Sequence, residues 1–150
     1  MKMQKFGTMK QLSCRKMKNI APYKHPKYNW IFIKESKYAL RTIDPNLVGV
    51  VTGKYGNIYA RIIDSKLIIY KGYACDGCTL APDFHRALEG CCVHDALYQM
   101  IGQNPDIFTE EQANQEMRYI HKRRNFKLAS LYYWAVSGLP RKIYKLWNHH

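Results

Sequence analysis

In the stretch GCCVHDALYQM, residues 90–100, Cys91, His94, Asp95 and Tyr98 recur at i, i+3, i+4 and i+7. That spacing puts four side chains on one face of a helix. A neutral imidazole, with an ordinary pKa of about 6.5, takes a proton at neutral pH. A carboxylate ligates a hard cation such as calcium, and a tyrosine hydroxyl fixes a neighbour by hydrogen bonding. The opposite face, Val93, Ala96, Leu97 and Met100, is apolar and reads as core. The polar face then meets either solvent or a second helix, and an antiparallel second helix would offer it Asn114, Met117, Arg118 and His121. Two readings of His94, Asp95, Tyr98 and Asn114 stand open. One is a catalytic or metal site, and the other a satisfied polar network that fixes the helix pair.

The cysteines carry a second chemistry. Cys75-x-x-Cys78 is followed by Cys91 and Cys92, with His94 close behind, and zinc takes four nitrogen or sulfur ligands in a tetrahedron. Adjacent helical residues point about 100° apart, so Cys91 and Cys92 do not both suit one ion. The zinc set is then Cys75, Cys78, Cys92 and His94. Small buried thiols, or one local disulfide in an oxidising compartment, are the competing reading. Five cysteines is an odd number, and residues 1–20 lack the apolar stretch of a secretory signal. Reduced thiols are therefore the expectation.

These residues need elements to hold them. Segments 29–43 and 47–74 are rich in Val, Ile and Tyr and are broken at Asp44-Pro45, Gly53, Tyr55-Gly56-Asn57 and Asp64-Ser65. They read as a short antiparallel meander. After Gly77 the period lengthens toward 3.6, giving a helix from Phe84 to Ile101 that stops at Gly102 and the QNPD turn. Thr109 and Gln112 have the spacing of a capping box and open a second helix running to about Arg124. A third, FKLASLYYWAV, ends before Gly138 and Pro140, and RKIYKLW forms a basic, aromatic tail. Residues 1–28, with two prolines and little apolar periodicity, read as a flexible or peripherally attached arm. Residues 29–150 form one domain. The fold class is α+β: a small antiparallel meander followed by about three helices.

Charge is distributed unevenly. All eleven acids lie between Glu35 and Glu116, whereas residues 1–34 carry nine Lys or Arg and residues 117–150 carry eight. A mildly acidic body with two basic ends suits an anionic partner, either a membrane surface or nucleic acid, because each neutralised phosphate releases counterions. Solvated tails are the plainer alternative. No apolar run approaches the roughly 18 residues of a membrane span. The expected location at synthesis is the cytoplasm.

Two resemblances extend this reading. From about Ile62 to Val136 the chain looks like a family of small phage-encoded proteins of unassigned function. The shared steps are Tyr70–Thr79 (KGYAxDG), Val93–Gln99 (VHDALYQ), Gln112–Asn114 and Leu131–Val136. They imply a phage or viral origin, with other virion proteins as partners. More locally, CCVHDALY is similar to the active-site helix of the phospholipase A2 superfamily, in which a cysteine pair precedes His-Asp-x-x-Tyr. The resemblance implies a phospholipase A2-like helix pair, with His94 as the base that activates a water and Asp95 as a calcium ligand. Tyr98 would then bond the group that orients the histidine. The chain departs from that pattern in three places. Its cysteine pair stands one residue closer to the histidine. The segment before the helix lacks a glycine-dense loop, leaving Asp76 and Asp83 as further oxygen donors. Asn114 stands where an orienting carboxylate is expected. The implied function is a calcium-dependent lipid ester hydrolase; the alternative is a non-catalytic virion component whose basic ends bind nucleic acid, capsid or membrane.

Overall fold

The structure, a computed structural model, describes residues 14–16, 30–78, 84 and 86–137. Among the described residues seven strands, β1 (Cys14–Lys16), β2 (Trp30–Phe32), β3 (Ser36–Ala39), β4 (Gly49–Thr52), β5 (Ile58–Ile63), β6 (Lys66–Ile69) and β7 (Ala74–Cys75), precede three helices. These are α1 (Leu88–Gln103), α2 (Glu110–Arg123) and α3 (Ala129–Ser137). The class is α+β, with antiparallel strands followed by helices.

The strands form two sheets, ordered β1-β2-β7 and β3-β6-β5-β4, with every pairing antiparallel. Strands β4, β5 and β6 are the expected meander. Their neighbour β3 crosses over to pair with β6, setting Tyr38 opposite Leu67. The tight β5–β6 turn holds Asp64 at φ 51° and Ser65 at φ 58°, the positive values that a two-residue hairpin with the natural strand twist requires. Within the N-terminal arm, Cys14–Lys16 pairs with β2, so the arm is attached there. The remaining residues of the arm, and the RKIYKLW segment, lie outside the described residues.

Alternation along the strands sets the core. Ala60 and Ile62 of β5 and Leu67 and Ile69 of β6 point inward and are buried. Helix α1 lays Val93, Ala96, Leu97 and Met100 over them, each fully buried aliphatic contributing about 1.5–3 kcal/mol. Close packing of α1 on β4 depends on Gly49, where a Cβ would lie 2.7 Å from the Met100 sulfur and 2.5 Å from Ile107. At the other end, Gln103 exchanges hydrogen bonds of 3.0 and 2.9 Å with the backbone of Thr52.

Helix α2 begins as its sequence dictates. The Gln112 N–H donates to the Thr109 hydroxyl at 3.1 Å, and the Thr109 N–H donates to the Gln112 side chain at 2.9 Å, closing the capping box. It ends at Arg123 with Arg124 as its cap, and the φ of 54° at Asn125 suits the left-handed residue that follows a helix. Buried Glu116 ties α2 to the sheet layer. Its Oε1 accepts from the Arg41 and Thr42 N–H groups at 2.8 and 2.6 Å, and from the Thr42 hydroxyl at 2.8 Å. The first helix starts at Leu88 rather than at Phe84, because a single turn closed by Ala87 N–H to Phe84 C=O precedes it.

The α1–α2 crossing depends on Gly90. A Cβ there would lie 2.4 Å from the His121 ring, and His121 is wholly buried. Helix propensity alone gives Gly90→Ala a gain of about 1 kcal/mol, whereas overpacking costs about 1–3 kcal/mol. A lowered urea midpoint is expected for Gly90→Ala. A raised midpoint would show that the crossing relaxes without cost.

Candidate active site

The polar face of α1 packs against α2. His94, 7% exposed, meets Asn114, 1% exposed, with Nε2 to Oδ1 at 2.7 Å. The Tyr98 hydroxyl donates to the same Asn114 oxygen at 2.9 Å, and the His94 and Tyr98 rings lie 4.2 Å apart. Asn114 Nδ2 donates to the Ser137 hydroxyl at 3.1 Å. A carbonyl oxygen only accepts, so Nε2 carries the proton and His94 Nδ1 is left as the acceptor. That is the tautomer a proton-abstracting histidine needs.

Asp95 belongs to the same turn. It is 9% exposed, and its Oδ2 accepts from the Asp76 N–H at 3.1 Å. Of the three expected oxygen donors, Asp95 and Asp76 are thus adjacent through the Asp76 main chain, while Asp83 lies outside the described residues. Among the described residues, no three His, Cys, Asp or Glu side chains gather in the manner of a metal site.

The cysteines resolve differently from the expectation of reduced thiols. Cys75 bonds Cys92 and Cys78 bonds Cys91, two nested disulfides across 17 and 13 residues. The zinc set of Cys75, Cys78, Cys92 and His94 is thereby replaced: disulfide sulfurs are not thiolate ligands, and His94 is committed to Asn114. The cause is geometric. Because Cys91 and Cys92 diverge on the helix, they reach two separate partners on the segment running back from β7. Closing one loop of about 15 residues contributes roughly 3 kcal/mol in the chain-entropy account. The bridges also hold Asp76, which lies between Cys75 and Cys78, against Asp95.

Of the stripe expected on α2, Asn114, Met117 and His121 are buried. Arg118 instead turns to α3, with its guanidinium 4.9 Å from the Tyr133 ring centroid. His121 donates through Nε2 to the Ala87 carbonyl at 2.9 Å, and its Nδ1 is buried without a partner. Its ring packs edge-on to Phe126 and Tyr132. Ser137 is the site neighbour that sequence reasoning missed, since no local signal marks a serine at the end of a third helix.

Compared with protein-family models, with curated proteins and with solved structures, the chain matches none.

Electrostatics favour the neutral ring. Burial lowers the His94 pKa to about 4, the hydrogen bond with Asn114 resists that fall, and His121 adds to it. Burial likewise lowers His121 to about 4, against the pull of the Ala87 carbonyl. An amide orients an imidazole but does not stabilise its cation as a carboxylate would. His94 is thus available as a base near neutrality but is a weak one.

Two measurements follow from this geometry. An unfolded histidine takes up its proton near pH 6.5 and a folded one here only near pH 4. The unfolded chain therefore binds more protons in that interval, and stability is full above about 6.5 and falls as the pH drops toward 4. Glu89 opposes this, its carboxyl being raised by burial against the pull of Arg124; two groups outweigh one. A loss of about 2–3 kcal/mol per histidine is expected between pH 7 and 4.5, read as urea midpoints, with His121→Asn showing a shallower slope. Thiol titration of the unfolded, unreduced protein is expected to find one free thiol, since the bridges use four of the five cysteines. Five free thiols would remove the clamp on Asp76.

Proposed function

We propose that the chain is a phage or viral protein that hydrolyses lipid esters at the His94/Asp95 site with the help of calcium, and that its basic ends hold it to an anionic membrane surface. One observation carries this reading. Asn114 Oδ1 accepts from both His94 Nε2 and Tyr98, leaving His94 Nδ1 as an oriented base. A buried water-activating site wants that arrangement, whereas a purely structural pair has no need of a particular tautomer.

In this mechanism His94 Nδ1 takes a proton from a water whose oxygen attacks the ester carbonyl carbon. As the tetrahedral adduct collapses, the bond to the leaving alcohol breaks and His94 returns the proton to that oxygen. Asn114 and Tyr98 hold the ring in plane throughout. Asp95, with Asp76 and Asp83 as further oxygen donors, would hold the calcium, and their hard oxygens suit that ion. When bound, calcium supplies charge that polarises the carbonyl. The resemblance of CCVHDALY to the phospholipase A2 helix supports the same assignment, and the KGYAxDG and VHDALYQ steps support the viral origin.

A second reading is favoured by Asn114 itself. A neutral orienter and a histidine pKa near 4 also suit a closed polar network in a non-catalytic virion component, with the basic ends bound to nucleic acid, capsid or membrane.

The test is hydrolysis of anionic phospholipid vesicles by the full chain, with calcium and with chelator. Calcium-dependent turnover is expected, lost by about 10²-fold or more in His94→Ala, because positioned proton transfer is typically worth 10² to 10⁴. Asn114→Asp is expected to raise both the His94 pKa and the rate, since a carboxylate stabilises the imidazolium. A parent protein without hydrolysis at any calcium concentration, with Asn114→Asp equally silent, decides for the virion component.

A further inference from the structure

The four-stranded sheet has two faces, and α1 covers only one of them. Ala60, Ile62, Leu67 and Ile69 point to the helix, so the residues that alternate with them point away. The strand registers align these outward residues in rows. One row runs Val50, Arg61, Ile68, Lys37, and the next runs Ile63, Lys66, Ala39. Val48, one residue before β4, falls on the same side as Val50.

This face is apolar where it meets water. Val48 is 66% exposed and Tyr55, in the turn between β4 and β5, 89%. With Val50, Ile58 and Ile63 they make five of the nine large exposed hydrophobics among the described residues, and a patch of that kind marks a contact surface. The face is also basic. No strand of this sheet carries an Asp or Glu, whereas Lys37, Arg61 and Lys66 all stand on the outward rows. None of the three forms an ion pair among the described residues. The acids adjoining the strands, Glu35 and Asp64, lie before β3 and in the β5–β6 turn.

Toward the β4–β5 turn the rows become aromatic. Tyr70 extends β6 by donating its N–H to the Tyr59 carbonyl at 2.9 Å, and alternation puts both half-buried tyrosines on the outward side. The Tyr59 ring lies where a Cβ at Gly53 would come within 2.4 Å of it, so glycine at 53 keeps its place open. The Lys54 ammonium stands 5.7 Å from the Tyr55 ring centroid, and Lys71 follows Tyr70 in the chain.

Charge decides what covers such a surface. A second copy would bring the same cations, and the two ends of the chain carry nine and eight Lys or Arg with no acid. Both are repelled, whereas a polyanion is attracted. An anionic lipid surface here would be separated from His94 by the sheet and by the apolar face of α1. A duplex keeps its base faces stacked inside and offers a flat sheet little beyond phosphates. A single strand offers phosphates to the cations and free base faces to the tyrosines and the aliphatic side chains between them.

We propose that the outward face of the β3-β6-β5-β4 sheet binds single-stranded nucleic acid. Lys37, Arg61 and Lys66 hold the phosphates, and Tyr55, Tyr59 and Tyr70 form the platform on which bases stack. The surface stands apart from the His94 site, and its assignment does not rest on the hydrolase reading.

The experiment measures binding of the full chain to labelled oligo-dT and oligo-U by fluorescence anisotropy over a salt series, beside a duplex of equal length, and to phosphatidylserine vesicles by cosedimentation. Tighter binding to a single strand than to the duplex is expected. The double variant Lys37→Gln/Lys66→Gln, at two exposed positions, is expected to lower the single-strand salt slope by about 1.4, the share of two phosphate contacts, and to leave vesicle binding unchanged. Tyr70→Leu, which keeps apolar bulk but removes the ring, is expected to weaken single-strand binding about fivefold or more at an unchanged slope. Tyr55→Ala, in the exposed turn, carries the stacking test should Tyr70→Leu not fold. Equal affinity for single strand and duplex, or folded variants that bind the single strand as the parent does, would mean that the basic ends make the contact alone, and the proposal is then overturned. Variants that lose vesicle binding and keep oligonucleotide binding overturn it too, by making the face a lipid contact.

Discussion

A side-chain amide that is 1% exposed must find its hydrogen bonds within the protein, because leaving one buried polar group unpaired costs about 1–3 kcal/mol. Asn114 meets that requirement from three directions, and doing so fixes how the helices stand. Its oxygen draws in His94 and Tyr98 from α1, and its nitrogen draws in Ser137 from α3. The crossing that makes this possible is close enough at Gly90 that no larger side chain fits beside His121. The polar network and the tight crossing are therefore two aspects of one constraint.

Around that crossing the rest of the molecule acts as support. The four-stranded sheet supplies the apolar floor for one face of α1, which frees the opposite face to carry polar groups without leaving the helix unpacked. Glu116 docks α2 on the Arg41–Thr42 backbone, so the helix bearing Asn114 is fixed to the same layer as α1. The two disulfides fix the segment from β7 to α1 and hold the Asp76 amide against Asp95. The result is a histidine, a carboxylate and a backbone segment whose relative positions are set by covalent bonds and buried hydrogen bonds.

The same burial that orders the site limits its chemistry. Taking His94 and His121 out of water holds both rings neutral, and a neutral amide gives back little of the lost basicity. A base held in a protein is most effective with a pKa near the working pH.

Much of this was legible in the sequence. The four-residue stripe of Cys91, His94, Asp95 and Tyr98 follows from helical spacing, and the start of α2 follows from the Thr109–Gln112 box. The Asp64-Ser65 turn follows from residues that tolerate positive φ. All of these are interactions within a few residues of chain, where local geometry leaves little choice. The pairing of four cysteines, the crossing of β3 to β6, the turning of Arg118 toward Tyr133 and the place of Ser137 beside Asn114 were decided only by the tertiary structure. Each joins residues a dozen or more positions apart, or chooses between partners on different elements. A sequence pattern fixes which face a side chain occupies, but which neighbour that face meets depends on how the helices and sheets pack, and that is a property of the whole core.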